Sequence, residues 1–150
     1  MTLAPPRSRE ERRRDVLVHF EKDVDTWVST ADFDGGPYLV PLSFLWDGSF
    51  FYISTVRTSP TSRNLLAGGR VRLAFGATRD VVLVEGVAEG VQPDDVGPKF
   101  GDTFAEKTGF DPRELKTPYQ YFRISPRHVQ AWREVNELSG RDLMQEGNWL

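Results

Sequence analysis

The sequence contains no cysteine, which removes disulfides, thiolate nucleophiles, iron–sulfur clusters and cysteine-ligated zinc together. Histidine is nearly as scarce: there are two, His19 and His128. Neither has a second ligand at helical spacing or a Gly-x-Ser-x-Gly elbow nearby, so no metal centre and no serine–histidine triad is expected. A Walker loop is missing, and Gly35-Gly36, Gly68-Gly69 and Gly86 fall in turns or at strand ends rather than in a dinucleotide-binding loop. No apolar run approaches membrane-spanning length. The start, Met1 to Arg7, lacks the apolar core of a signal peptide, so the cytoplasm is the expected compartment. Net positive charge is absent too. Nineteen Lys+Arg against 22 Asp+Glu give −3, which provides no general attraction to nucleic acid or an anionic membrane, so any anion site must be local.

What is present is ordinary globular composition, 39% hydrophobic and 27% charged over 150 residues, enough chain for one domain with its own core. Met1 to Arg7 carries two prolines and no periodicity and reads as a flexible arm, leaving residues 8–150 as a single domain. Ser8-Arg9-Glu10-Glu11 is a capping box, with Val16, Leu17 and Phe20 on one face behind it, which predicts a helix near residues 9–21. Its Arg12-Arg13-Arg14 run is expected on a solvated face, paired with Glu10, Glu11 and Asp15. Strand patterns then follow at 26–31, 38–44 and 50–55, separated by the turn formers Asp34-Gly35 and Asp47-Gly48. Residues 63–67, stopped by Gly68-Gly69, predict a short helix. Strands resume at 71–75 and 81–88, and residues 93–118 predict one or two small helices. Residues 119–124 and 128–132 bracket Ser125-Pro126-Arg127, a turn or bulge in a final strand pair. About six strands in an antiparallel meander with small outer helices make a mainly β protein, a small barrel.

One segment concentrates polar chemistry. From Ser54 to Leu65, hydroxyls and two arginines crowd a strand exit just before a helix start. Guanidinium groups, hydroxyls and helix N-terminal N–H groups are what a phosphate dianion requires. The same composition also describes an ordinary Ser/Thr-rich loop with a helix cap, and both readings stand on composition.

The run Gly36-Pro37-Tyr38-Leu39-Val40-Pro41-Leu42-Ser43-Phe44, followed by Trp46-Asp47-Gly48, Phe51-Tyr52-Ile53-Ser54-Thr55, Arg63-Asn64-Leu65 and Val71-Arg72-Leu73, resembles the pyridoxamine 5′-phosphate oxidase-like FMN-binding split-barrel family. The similarity is closest to its flavin- and deazaflavin (F420)-dependent reductase branch. It covers about residues 24–91 and, more loosely, the strands up to Trp132. The resemblance implies a split β-barrel and a homodimer with the cofactor, FMN or F420, in a groove between subunits. By position it implies that Val40, Pro41, Leu42 and Ser43 run beside the ring. Ser54 and Thr55 would face the phosphate, with Arg57, Ser59, Thr61, Ser62 and Arg63 in its loop. Arg79 and Asp80 would approach the ring's polar edge, and Trp132 of the partner would close the groove. The chain departs from the family where the flavin-binding oxidases carry a basic pair, because Pro60 and Thr61 occupy those places.

These implications define a flavin- or deazaflavin-dependent oxidoreductase that moves hydride to or from a small organic substrate, with no catalytic side chain assigned. A non-catalytic carrier or sensor of flavin, deazaflavin or haem on the same barrel is the alternative, His128 being the potential haem ligand. An oligonucleotide-binding barrel is a third class, opposed by the acidic net charge.

Overall fold

The computed structural model describes residues 2–150. The capping box forms as expected: the Glu11 N–H donates to Ser8 Oγ and the Ser8 N–H to the Glu11 carboxylate, opening α1 (Arg9–Lys22). Seven longer elements follow, β1 (Asp25–Ala31), β2 (Pro37–Trp46), β3 (Phe51–Val56), α2 (Pro60–Gly68), β4 (Arg70–Phe75), β5 (Val81–Val91) and, after two short helices α3 (Pro93–Val96) and α4 (Phe100–Thr108), β6 (Tyr119–Trp132). A terminal hairpin, β7 (Asp142–Gln145) and β8 (Asn148–Trp149), hangs from β6. The sheet runs β3-β2-β1-β4-β5-β6, and β3 also pairs with β6, so six antiparallel strands close into a barrel. Among the described residues no helix is long and apolar enough to cross a membrane.

Alternate strand residues fill the barrel. Val28, Phe44, Phe51, Ile53, Leu73, Val84, Phe122 and Ile124 belong to one buried cluster. Val16 and Phe20 of α1 plug one end, where Phe20 meets Trp46, Phe51 and Phe75. Leu65 of α2 closes the other. Outside, Phe100 and Phe104 of α4 pack on Tyr52 and Tyr121 as a separate aromatic cluster. The outward faces of β1, the first half of β2, and β5 stay uncovered. There Trp27, Leu39 and Val87 are 49%, 60% and 49% exposed.

Three expectations change. The predicted final strand pair is one fourteen-residue strand, β6, because Ser125-Pro126-Arg127 takes the bulge form of the two expected, opposite Glu85/Gly86, and does not break the strand. Gly86 permits this, since a Cβ there would lie 2.8 Å from the Ile124 side chain and 2.9 Å from the Ser125 carbonyl. The arginine run is solvated only in part: Arg13 and Arg14 are exposed, Arg13 over Trp149, but Arg12 is buried and donates to the carbonyls of Ala131, Glu137 and Ser139. Arg7, read as part of the arm, is fastened to the domain by Glu137 and Asp15.

Candidate functional site

Pairing along β2 is uneven. With β1 it is continuous from Pro37 to Ser43, but with β3 it covers only Phe44–Trp46. The Phe44 N–H donates to the Val24 carbonyl on the β1 side, so by the alternation of an antiparallel ladder the main-chain groups of Leu39 and Pro41 face the other edge. That edge has no strand partner among the described residues. Pro37 and Pro41 occupy edge-facing positions, where a missing N–H costs no ladder bond. The barrel is therefore split where β2 leaves β3.

Beyond the split, β3 exits into α2. Ser59 caps the helix: its Oγ accepts from the Ser62 N–H at 3.2 Å and pairs with Thr55 Oγ1 at 3.2 Å. Pro60 at the first helical position adds no donor. Arg57 and Arg63 project outward, and neither has a carboxylate partner among the described residues. Thr61 and Ser62 are buried beneath the helix and Ser54 beneath the sheet surface. The Ser54 and Ser62 hydroxyls find no hydrogen-bond partner. Buried polar groups are nearly always satisfied, and Tyr121, paired with Ser54 across β3–β6, is orphaned as well, so the end of β3 and the start of α2 carry three unsatisfied hydroxyls.

A groove of about 630 Å³ lies between α2 and the β1–β2 hairpin, lined by Pro37, Tyr38, Pro60, Arg63 and Asn64. Asn64 is tied down by its amide, which donates to Thr30 Oγ1 at 3.0 Å. Asp32 also lines it, but its carboxylate is occupied by the Asp34 and Gly36 N–H groups. A second groove of about 600 Å³ shares the walls Ala31, Asp32, Pro37, Asn64 and Gly68 and continues across β4 and β5 past Arg70, Arg72, Glu85 and Arg127.

The remaining expected residues lie elsewhere in the chain. Val40 and Leu42 turn half-buried toward the barrel interior, and the Ser43 hydroxyl donates to Asp25 at 2.6 Å. Arg79, Asp80 and Trp132 lie at the α1 end, where Val81 pairs with Trp132. Ser54 lies at the opposite end, facing Tyr121, which itself pairs with Val91. Eleven residues of β5 separate the two ends. Arg79 pairs with Glu134 at 3.2 Å, Asp80 with Arg133 at 3.1 Å, and the Arg141 guanidinium sits over Trp132. One chain does not bring these three to the β3–α2 junction. Arg70 and Arg127 were not anticipated; the signal for them was that each lacks an acidic residue at a pairing position, which only the register reveals.

His128 sits between two carboxylates, its Nδ1 3.0 Å from Glu85 and its Nε2 2.7 Å from Asp142. Burial pulls its pKa down, but the hydrogen bonds to Asp142 and Glu85 outweigh that and raise it. With both ring nitrogens engaged, none is free for an iron, which opposes the haem alternative.

The sequence matches the family described as pyridoxamine 5′-phosphate oxidase over residues 21–133. The chain belongs to that family. Solved structures share the fold: an F420 reductase (20% identity, 74% of this chain and 92% of that one, TM-score 0.61), a putative pyridoxamine 5′-phosphate oxidase from Listeria innocua (14%, 81% and 98%, 0.66) and a FAD-binding protein from Mesorhizobium loti (19%, 78% and 89%, 0.57). At these identities the likeness is one of fold. No curated protein matches the sequence.

Proposed function

We propose that this member of the pyridoxamine 5′-phosphate oxidase family is a homodimeric flavin- or deazaflavin-dependent oxidoreductase, holding FMN or F420 with its phosphate at the β3–α2 junction. The observation that carries this reading is the junction itself: two exposed guanidiniums without carboxylate partners, Arg57 and Arg63, on the same β3–α2 segment as the orphaned, buried hydroxyls of Ser54 and Ser62. Solved relatives of the same fold include an F420 reductase and a FAD-binding protein, which supports a flavin-type ligand.

The residues fit such a group in a particular way. The family's basic pair is replaced by Pro60 and Thr61, and Thr61 is buried, so Arg57 and Arg63 carry the charge and Ser59, bonded to the buried Thr55 hydroxyl, is the half-exposed hydroxyl beside them. The strandless edge of β2 offers the Leu39 N–H and the Leu39 and Pro41 carbonyls to the polar rim of a ring. When bound, the flavin or deazaflavin accepts or donates hydride, so the protein needs no acid–base triad of its own. The chain's residues bind, orient and exclude water. The uncovered face with Trp27, Leu39 and Val87 supports pairing of two copies, since an apolar patch of this kind on a small domain marks an interface.

Arg63→Ala is expected to weaken FMN or F420 binding by about 1.5–3 kcal/mol, up to roughly a hundredfold in Kd. Fluorescence titration of each cofactor into wild type and variant checks it; no binding of either cofactor, or equal affinity in both proteins, overturns the reading. Turnover with reduced cofactor and a panel of acceptors then separates an oxidoreductase from a carrier, which binds without turning over. For the dimer, Leu39→Glu places a charge on the apolar face and is expected to halve the mass found by sedimentation equilibrium. A variant that keeps the wild-type mass moves the interface elsewhere.

A further inference from the structure

The uncovered sheet face carries two rows of side chains running across its strands, since residues opposite one another in an antiparallel pair share a face. In the first row Pro41, Trp27, Ala74, Leu83 and Gln130 follow one another over β2, β1, β4, β5 and β6. The second runs Leu39, Ser29, Arg72, Glu85 and His128 over the same strands and ends on Asp142 of β7. A cavity of about 200 Å³ opens between the rows, lined by Trp27, Leu39, Arg72, Glu85, His128 and Gln130. Whatever fills it takes water from the charged row as well as from the apolar one.

The charged row alternates in sign. Arg72 pairs with Glu85, Glu85 with His128 Nδ1 at 3.0 Å, and His128 Nε2 with Asp142 at 2.7 Å. Gln130 also donates to Asp142, at 2.8 Å, and with His128 it holds that carboxyl below its ordinary range, helped by Arg141 on the same strand. Arg127, one residue before His128, lies instead against Gly147 of the β7–β8 turn, where a Cβ would come within 3.0 Å of its guanidinium. A neutral imidazole has one N–H and one lone pair, so it satisfies one carboxylate and turns the lone pair on the other, whereas the imidazolium donates to both. With that proton the row carries no net charge; without it, one negative charge is left uncompensated. Water hydrates that charge on an open face, but a covering surface does not. Alternation also makes the row complementary to itself. A two-fold axis parallel to the strands, passing between two neighbours, reverses the row and sets unlike charges against each other, a match that a second copy supplies.

We propose that a second copy of this chain docks through the Arg72–Glu85–His128–Asp142 row, and that docking holds the proton on His128, so that the dimer is tight with the imidazolium and loosens when the proton leaves. The inference rests on the homodimer proposed above and adds its polar contact and its control by pH. If the dimer holds the proton more tightly than the monomer, the His128 pKa is higher in the dimer. The gain in association is then complete below the monomer's value and is lost as pH rises through the dimer's. Each dimer carries two such histidines, so an about threefold tighter hold on each proton loosens the alkaline dimer about tenfold, and an about tenfold tighter hold about a hundredfold.

Sedimentation equilibrium of the full-length protein at about pH 6 and about pH 9, to either side of the histidine range, tests it. The dimer Kd of wild type is expected to rise about tenfold to a hundredfold between the two. His128→Gln, which leaves the negative charge uncompensated at every pH, is expected to be as loose at about pH 6 as wild type is at about pH 9, with no further change between them. Asp142→Asn removes one carboxylate, so a neutral imidazole completes a row without net charge. At about pH 9 this variant is expected to dimerise within about threefold of wild type at about pH 6, an outcome that simple damage to the face would not produce. A wild-type dimer equally tight at both pH values, a pH response that persists in His128→Gln, or an Asp142→Asn dimer as loose as wild type at high pH overturns the proposal. The two readings fail separately. A dimer that Leu39→Glu splits but that ignores pH leaves the homodimer standing and removes this inference alone; a wild type that is monomeric at every pH assigns the face to a different partner and overturns both.

Discussion

Glu137→Gln is expected to lower the unfolding free energy by about 3 kcal/mol, measured by urea denaturation at neutral pH. The carboxylate is the hub that fastens both termini to the barrel. It accepts from the Arg7 main-chain N–H at 2.8 Å, from the Arg7 guanidinium at 3.0 and 2.8 Å, and from the Arg133 N–H at 2.8 Å. The pair is out of water, its side chains 9% and 4% exposed. Breaking one partner of a buried pair costs about 3–5 kcal/mol because the other charge is left uncompensated. The lower figure applies because Asp15 remains 2.8 Å from Arg7 and keeps part of its charge met.

The same contact sets the acid limit of the fold. The Arg7 hydrogen bond holds the Glu137 carboxyl down at about 2 against the opposing effect of burial. In the unfolded chain it titrates near the ordinary glutamate value of about 4.3. A depressed folded pKa means the unfolded state takes up the proton first. The stabilisation is therefore complete above about 4.3 and is lost as pH falls toward about 2. The stability difference between wild type and Glu137→Gln is thus expected to shrink across that interval. A difference that stays constant down to pH 2 would show that Glu137 is not the titrating group.

Much of this architecture was legible from residue pattern, and the failures have physical causes. The β1 to β3 meander was readable because Asp34-Gly35 and Asp47-Gly48 punctuate it, with Gly35 and Gly48 adopting the positive φ those turns need. The start of α2 was read three residues late, at Arg63, although Ser59-Pro60 carried the signal: a serine cap followed by proline at the first helical position. The β7–β8 hairpin was missed because Glu146-Gly147 stands where Asn-Gly or Asp-Gly is usual, and a glutamate with φ of 52° is not written in any propensity. Ser125-Pro126-Arg127 read as a turn or bulge between two strands, and it is a bulge within one, where the missing N–H of Pro126 breaks no pairing. For the site, the hydroxyl and arginine content of residues 54–63 located the junction. Sequence did not say which hydroxyls face inward, since Thr61 and Ser62 follow α2 onto its buried side.

Phe20→Ala is expected to cost about 3–5 kcal/mol, the largest effect of any single change considered. The ring is fully buried. Its centroid lies 5.0 Å from Trp46, 4.7 Å from Phe51 and 5.2 Å from Phe75, a tilted and edge-on cluster in which each aromatic contact adds about 0.5–1.5 kcal/mol beyond the area it buries. Strand rims cannot shift inward to fill the space, because the six-strand barrel is closed by its own hydrogen bonds, so the cavity persists. Phe20→Leu, which keeps most of the volume, is expected to lose roughly half as much. The functional consequence follows from geometry. Phe20 plugs the α1 end, whereas Arg57 and Arg63 stand at the α2 end. Cofactor affinity of Phe20→Ala below its melting temperature is therefore expected within about twofold of wild type, with Tm lowered. A variant that melts early and also binds cofactor weakly would mean that the two ends of the barrel are coupled and that α1 helps to shape the groove.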